Sequence, residues 1–191
     1  QFSIAHTPAI NNAMTEQVNH FDRSAASWDA VPQRVELAQA VGKAILQNAT
    51  LSKDMNVLDY GCGTGLLGLF LLSYVHSVTG ADNSPGMLQV LNDKIRAEGL
   101  EQMQVERLDL ENMPIPKARY HLITANMVMH HVKGTGRLLT AFREMLLPGG
   151  TLAIADLDTE PGLFHGPEAA SSVFHNGFDR ENFVTQLRLA G

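Results

Sequence analysis

The stretch Val57-Leu58-Asp59-Tyr60-Gly61-Cys62-Gly63-Thr64-Gly65-Leu66-Leu67-Gly68 joins a short apolar run to an acidic residue, three glycines at alternate positions and a second apolar run that continues to Leu72. In that order it reads as strand, glycine turn and helix, the first half of a β–α–β unit. Gly61, Gly63 and Gly65 let the backbone take positive φ and let a ligand approach the main chain closely. The helix start beyond them offers unpaired N–H groups. The spacing G-x-G-x-G departs from the G-x-G-x-x-G of dinucleotide turns. Asp59, two positions before the first glycine, would repel a pyrophosphate and suit a ligand with a cationic amino-acid head.

Working outward, alternating apolar runs and helical periodicity extend the pattern on both sides. A helix is expected over 33–48, with Val35, Ala38, Val41, Ile45 and Leu46 near one face. Strand one covers 55–59, the following helix 65–75, and strand two Ser77 to Ala81, ending in Asp82. Asp82 stands where a doubly wound fold places a ribose-binding acid, and a carboxylate can accept both ribose hydroxyl protons. Ser84-Pro85 reads as an N-cap followed by proline at the first helical position; that helix runs to about Glu98, and Gly99 stops it. Strand three covers 104–108 and leads into Asp109-Leu110. Strand four, Tyr120 to Ala125, ends in Asn126 and is followed by His130 and His131. A helix over 134–147 turns inward Leu138, Leu139, Phe142 and Met145. Leu147-Pro148-Gly149-Gly150 then leads into strand five, 151–156. A loop over 157–178 carries His165, His175 and Phe178 as candidate substrate contacts. A last helix, capped by Asp179, turns inward Phe183, Val184 and Leu187.

Asp59 to Gly65 resembles motif I of the class I S-adenosylmethionine-dependent methyltransferases, and Ala81 to Leu88 resembles that family's second motif. The Leu-Pro-Gly-Gly turn before strand five is a further point of similarity. The resemblance is greatest to small-molecule methyltransferases of the ubiquinone- and menaquinone-biosynthesis type. It implies an α/β fold: a doubly wound, mostly parallel sheet flanked by helices. It implies S-adenosylmethionine as cofactor, S-adenosylhomocysteine as product, and contacts from Asp59, Gly61, Cys62, Gly63, Gly65, Asp82, Asn83 and Met87. Asp109 would accept from the adenine amino group while the N–H of Leu110 meets a ring nitrogen, and Asn126 would lie beside the methionine moiety. Phe21, Trp28 and Asp29 resemble a lid over the cofactor, although the two aromatics also suit simple docking of the N-terminal helices. Residues 1–20 then read as a tail or leader, 21–50 as a helical lid, 51–156 as the cofactor-binding core, and 157–191 as a substrate-side loop and last helix.

The expected reaction is methyl transfer to a small-molecule acceptor. Ligands of an open α/β sheet lie beyond the carboxyl ends of the strands, so His131 or His130 is the candidate general base. A vicinal histidine pair diverges and no third ligand stands at metal-site spacing, so no metal is expected. A cofactor-binding scaffold without catalysis is the alternative reading, and a nicotinamide-dependent oxidoreductase a further one.

The 191 residues, 45% hydrophobic and 18% charged, suit one globular domain. A formal charge of −6 without a basic run argues against a nucleic-acid partner. Cys62 is the one cysteine, so no intrachain disulfide can form. No bilayer-length apolar run or signal peptide stands out, which points to the cytoplasm. Gln1 suggests processing or an added leader, with Met14 a candidate natural start. The family's C-terminal antiparallel strand pair is absent from the pattern, which leaves strand five as an edge; the two readings are a homo-oligomer covering that edge and a truncated chain.

Overall fold

The structure, a computed structural model, describes residues 20–166, 169 and 172–191. The expected tail, including Gln1 and Met14, lies outside these residues except for His20, which begins a helical turn over 20–24. A 3-10 helix, Ala25–Ala30, leads into α1, Pro32–Asn48. The core then alternates: β1 Asn56–Tyr60, α2 Leu66–Leu72, β2 Ser77–Asp82, α3 Pro85–Glu98, β3 Met103–Arg107, β4 Tyr120–Asn126, α4 Thr135–Met145, β5 Leu146–Ala155 and α5 Arg180–Ala190.

The five strands form one sheet in the order β3-β2-β1-β4-β5, and all neighbouring pairs are parallel. Parallel pairing requires crossovers, and the helices that supply them cover both faces. One face packs Ala38 and Ile45 of α1, Leu67 and Leu71 of α2, and Leu88 and Leu91 of α3 against Val57 and Val78. The other packs Leu138, Leu139, Phe142 and Met145 of α4 against Leu58 and Ile123. Burying each such side chain contributes roughly 1.5–3 kcal/mol. The order reverses between β1 and β4, and a crevice opens beyond the strand ends at that reversal.

Local signals set most boundaries. Ser84 Oγ accepts from Met87 N–H, Pro85 opens α3, and Gly99 closes it in the left-handed conformation (φ 65°). Asp179 accepts from Asn182 N–H and so caps α5. Two expectations are corrected. Pairing of β5 begins at Leu146 rather than 151, because Leu146 pairs with Tyr120 and a register shift absorbs the Pro-Gly-Gly segment. On α5, Phe183, Leu187 and Ala190 pack on the core while Val184 is exposed. The i, i+4, i+7 row faces inward, and the residue after Phe183 is rotated about 100° away.

Candidate functional site

A crevice of about 980 Å³ lies over the carboxyl ends of β1, β2 and β4. Asp59, Asp82 and Asp109 all line it, with Gly61, Cys62, Gly63, Asn83, Met87, Asn126, Trp28, His130 and His131. Of the residues expected at the site, Gly65 and Leu110 do not line it. Gly65 is instead the left-handed residue that starts α2 (φ 84°). Leu110 is fully buried, and its N–H donates to the Tyr60 hydroxyl at 3.2 Å. That N–H is therefore engaged in the core, not directed at a ligand.

The three carboxylates are built into the backbone around them. Asp59 Oδ2 accepts from Gly68 N–H (2.9 Å) and Oδ1 from the Thr124 hydroxyl (2.7 Å). It thereby ties β1 to the first turn of α2 and to β4, and it stands beneath the glycine turn. Asp82 Oδ2 accepts from Gly63 N–H (2.8 Å) and Oδ1 from Ser84 N–H (2.9 Å), which pins the turn to the end of β2. Asp109 accepts from Glu111 N–H and from the Asn112 side chain. Burial raises the Asp82 carboxyl above the ordinary carboxylate range against these backbone hydrogen bonds. Burial, with Asp82 and Asp59 nearby, also pushes the Cys62 thiol well up, so Cys62 is an inert packing group.

Asp59 carries a pH prediction. Burial pushes its carboxyl from 3.8 up to about 6, although the Thr124 and Gly68 hydrogen bonds favour the ionised form. Its folded value thus exceeds its unfolded one. The advantage this gives the folded state is complete below the unfolded value and is lost as pH rises through about 6. Roughly two units correspond to about 3 kcal/mol. Chemical denaturation of wild type and Asp59→Asn between pH 4 and 7 should show the wild type losing stability relative to the variant. Parallel profiles would refute the assignment.

The N-terminal segment docks on the glycine turn and the start of α3. Asp22 accepts from the Ser84 hydroxyl (2.6 Å) and from Gly86 N–H (2.8 Å). Asp29 accepts from the Thr64 hydroxyl and pairs with Lys94, which also donates to Thr64 O (2.7 Å). Trp28 stacks under Arg34, 3.6 Å from its guanidinium carbon. Phe21 stands edge-on to His131, ring centres 5.2 Å apart.

Beyond β4, Met127 takes a left-handed conformation (φ 58°). In a non-glycine residue this costs about 1–2 kcal/mol, and it sits between the crevice residues Asn126 and Val128. Asn126 Oδ1 is buried with no hydrogen-bond partner among the described residues. A 3-10 turn, Met129–His131, follows. His130 is fully buried and its Nδ1 meets Asp156 Oδ1 at 2.6 Å; Asp156 Oδ2 accepts from Met129 N–H. Burial opposes ionisation of Asp156, yet the His130 and backbone hydrogen bonds leave its carboxyl below the usual range. An ionised Asp156 makes His130 Nδ1 the donor, and His165 Nε2 lies 2.9 Å from His130 Nε2. His131 Nδ1 meets Ser172 O at 2.8 Å. Burial first, and His130 second, push His131 down to about 4.

Of the loop candidates, His165 lines the crevice. His175 and Phe178 do not: His175 Nε2 bonds Val132 O and Phe178 packs on Phe183. Asp156 was legible only as the end of a strand. The vicinal histidines, expected to diverge, lie with ring centres 4.0 Å apart, because the 3-10 turn folds them together.

Comparison with known proteins agrees with this architecture. Residues 57–150 match the family described as "Methyltransferase domain". An uncharacterized methyltransferase of Schizosaccharomyces pombe is 28% identical over 158 residues, covering 76% of this chain and 56% of that protein. A ubiquinone biosynthesis O-methyltransferase of Coxiella burnetii is 27% identical over 156 residues, covering 80% and 66%. The crystal structure of an S-adenosylmethionine-dependent methyltransferase from Aquifex aeolicus superposes with a TM-score of 0.69 at 20% identity, over 91% of this chain and 87% of that one. The chain spans about half the length of the first curated relatives it matches. The family match over residues 57–150 is to a methyltransferase domain, and the fold is that of S-adenosylmethionine-dependent methyltransferases of known structure. Among the described residues no helix is long and apolar enough to cross a membrane.

Proposed function

We propose that this domain transfers a methyl group from S-adenosylmethionine to a small-molecule acceptor by in-line displacement. The observation that carries the reading is that three acidic residues, from the ends of three neighbouring parallel strands, line one crevice. The crevice suits the cofactor chemically. Asn126 Oδ1 is a buried acceptor without a partner among the described residues, and at Gly61 a Cβ would stand 2.2 Å from Val128 Cγ2, so the turn there admits only glycine.

The cofactor, when bound, supplies a methyl group already activated by a positively charged sulfur. The protein's task is then to hold, orient and exclude water. The main chain of the glycine turn, with Asp59 beneath it, and Asn126 Oδ1 hold the amino-acid head. Asp82 accepts from the ribose hydroxyls and Asp109 from the adenine amino group, while Met87 packs beside the base. Orientation of this kind supplies roughly 7–11 kcal/mol of barrier reduction. An acceptor that is a phenol or a carbon acid must also lose a proton. His131 and His130 are the residues that could take it, and Asp156 fixes the tautomer and orientation of His130.

Calorimetric titration with S-adenosylhomocysteine, with NADH as the comparison, tests the cofactor reading. Micromolar binding of the first and none of the second is expected; the reverse would overturn it. Transfer of a radiolabelled methyl group into a metabolite extract tests turnover, and binding without transfer would make the domain a scaffold.

A further inference from the structure

We infer that His130, His131 and His165 form a binding site for a divalent transition-metal ion at the acceptor end of the crevice, each giving one ring nitrogen. The donor atoms of the three residues all lie within 4.8 Å of one another. The rings pack at tilted angles, their centres 4.0, 4.9 and 5.2 Å apart. They come from two segments distant in sequence: the 3-10 turn after β4, and the loop after β5.

The groups behind the rings are those that metal-binding imidazoles use. A ligating histidine commonly donates its other ring N–H to a carboxylate or a backbone carbonyl, which fixes the tautomer and aims the remaining nitrogen. His130 Nδ1 meets Asp156 Oδ1 at 2.6 Å, and His131 Nδ1 meets Ser172 O at 2.8 Å.

The donor spacings must even out. His130 Nε2 and His165 Nε2 are 2.9 Å apart, joined by a hydrogen bond. Two nitrogens each about 2.1 Å from a tetrahedral ion are about 3.4 Å apart. This pair must open by about half an ångström, with the His165 proton moving to its other nitrogen or to solvent, and donor atoms as far as 4.8 Å apart must close toward the same spacing. His165 stands on an irregular loop and is only partly buried, so it is the member free to move. His130, within the core, is the fixed member.

The donor set defines the ion. Three neutral imidazoles suit zinc, cobalt, nickel, copper or ferrous iron, and not magnesium or calcium, which take oxygen ligands. Three protein ligands leave a fourth position, as catalytic rather than structural zinc sites do. All three residues line the crevice, so that position faces it. Given the methyl-transfer reading, on which this last step alone rests, the acceptor class is one with an oxygen or nitrogen able to coordinate a metal.

The test is titration of tag-free, chelator-treated protein with Co²⁺, followed by visible absorption, with Zn²⁺ affinity measured against a chromogenic chelator. One equivalent of Co²⁺ with intense tetrahedral bands is expected. His165→Ala, a change on a partly buried loop residue, should weaken binding at least 100-fold and abolish the bands, its melting curve reporting that it folds. Asp156→Asn should weaken binding 10- to 100-fold. His76→Ala, an exposed residue outside the crevice, should change nothing. No stoichiometric binding by the wild type, or less than a tenfold loss in His165→Ala, overturns the proposal. S-adenosylhomocysteine titration of the same sample separates the two readings, since either ligand can bind while the other fails.

Discussion

Asp82→Ala should weaken S-adenosylhomocysteine binding about 100-fold, read by calorimetry. Each hydrogen bond from a neutral hydroxyl to a charged acceptor is worth roughly 1.5–3 kcal/mol. Losing both ribose contacts, with partial replacement by water, leaves a loss of about 3 kcal/mol, or 100-fold. The substitution also frees Gly63 N–H and Ser84 N–H from the acceptors that now hold them, so the glycine turn loses its anchor to β2. A lower melting temperature should accompany the lost affinity. Asp82→Asn separates the two effects: it retains an acceptor for one backbone N–H but not the charge, and about a tenfold loss is expected. Asp109→Ala should cost less than Asp82→Ala. Asp109 is only partly buried and its acceptors serve the local turn at Glu111 and Asn112. An unchanged affinity in Asp82→Ala would remove Asp82 from the ribose role.

The order of these effects follows from how the crevice is written in the chain. Residues whose placement depends on neighbours in sequence were legible. Ser84, Pro85 and Gly99 mark α3 by local hydrogen-bonding and φ requirements alone, and the structure uses them so. The glycine turn and the acidic strand ends follow from the strand–turn–helix pattern, since a parallel sheet brings successive strand ends to one side. Residues whose placement depends on long-range pairing were not legible. Nothing near Asp22 announces that it will accept from Ser84 and Gly86. Nothing near Leu110 announces that Tyr60, 50 residues earlier, will take its N–H. The approach of His165 to His130 requires β5 beside β4 and the loop after β5 folded back over the crevice, and no spacing within the loop encodes that. The β5 boundary was missed for a related reason. Pro148, Gly149 and Gly150 signal a turn, while pairing of Leu146 with Tyr120 is decided across the sheet.

Gly61→Ala should be the most damaging of the single-methyl changes in the crevice. Two costs coincide there. Its φ is +67°, and a left-handed alanine is strained by about 1–2 kcal/mol. A Cβ at that position would stand 2.2 Å from Val128 Cγ2 and 3.0 Å from Cγ1. Valine is β-branched and stiff about χ1, and Val128 follows the strained Met127, so the contact cannot be relieved by a distal rotation. Overpacking of this kind costs about 1–3 kcal/mol. The sum, about 2–5 kcal/mol, lowers the melting temperature by roughly 4–20 °C for a chain of this size. Gly65→Ala has the same sign of strain (φ 84°) and a close contact at 2.4 Å, but with Leu91 Cδ1, the far end of a flexible side chain. Its loss should be smaller. Gly99→Ala is the reference, with φ 65° and nothing within 4 Å of the added carbon, and strain alone should cost it about 1 kcal/mol. Thermal melts of the three variants should therefore rank Gly61→Ala below Gly65→Ala below Gly99→Ala. Because Val128 and Gly61 both line the crevice, Gly61→Ala should also weaken S-adenosylhomocysteine binding, which Gly99→Ala should not. If Gly61→Ala melts with Gly99→Ala, the main chain at residue 61 is not held against Val128, and the close approach of a ligand to the glycine turn has no structural cause.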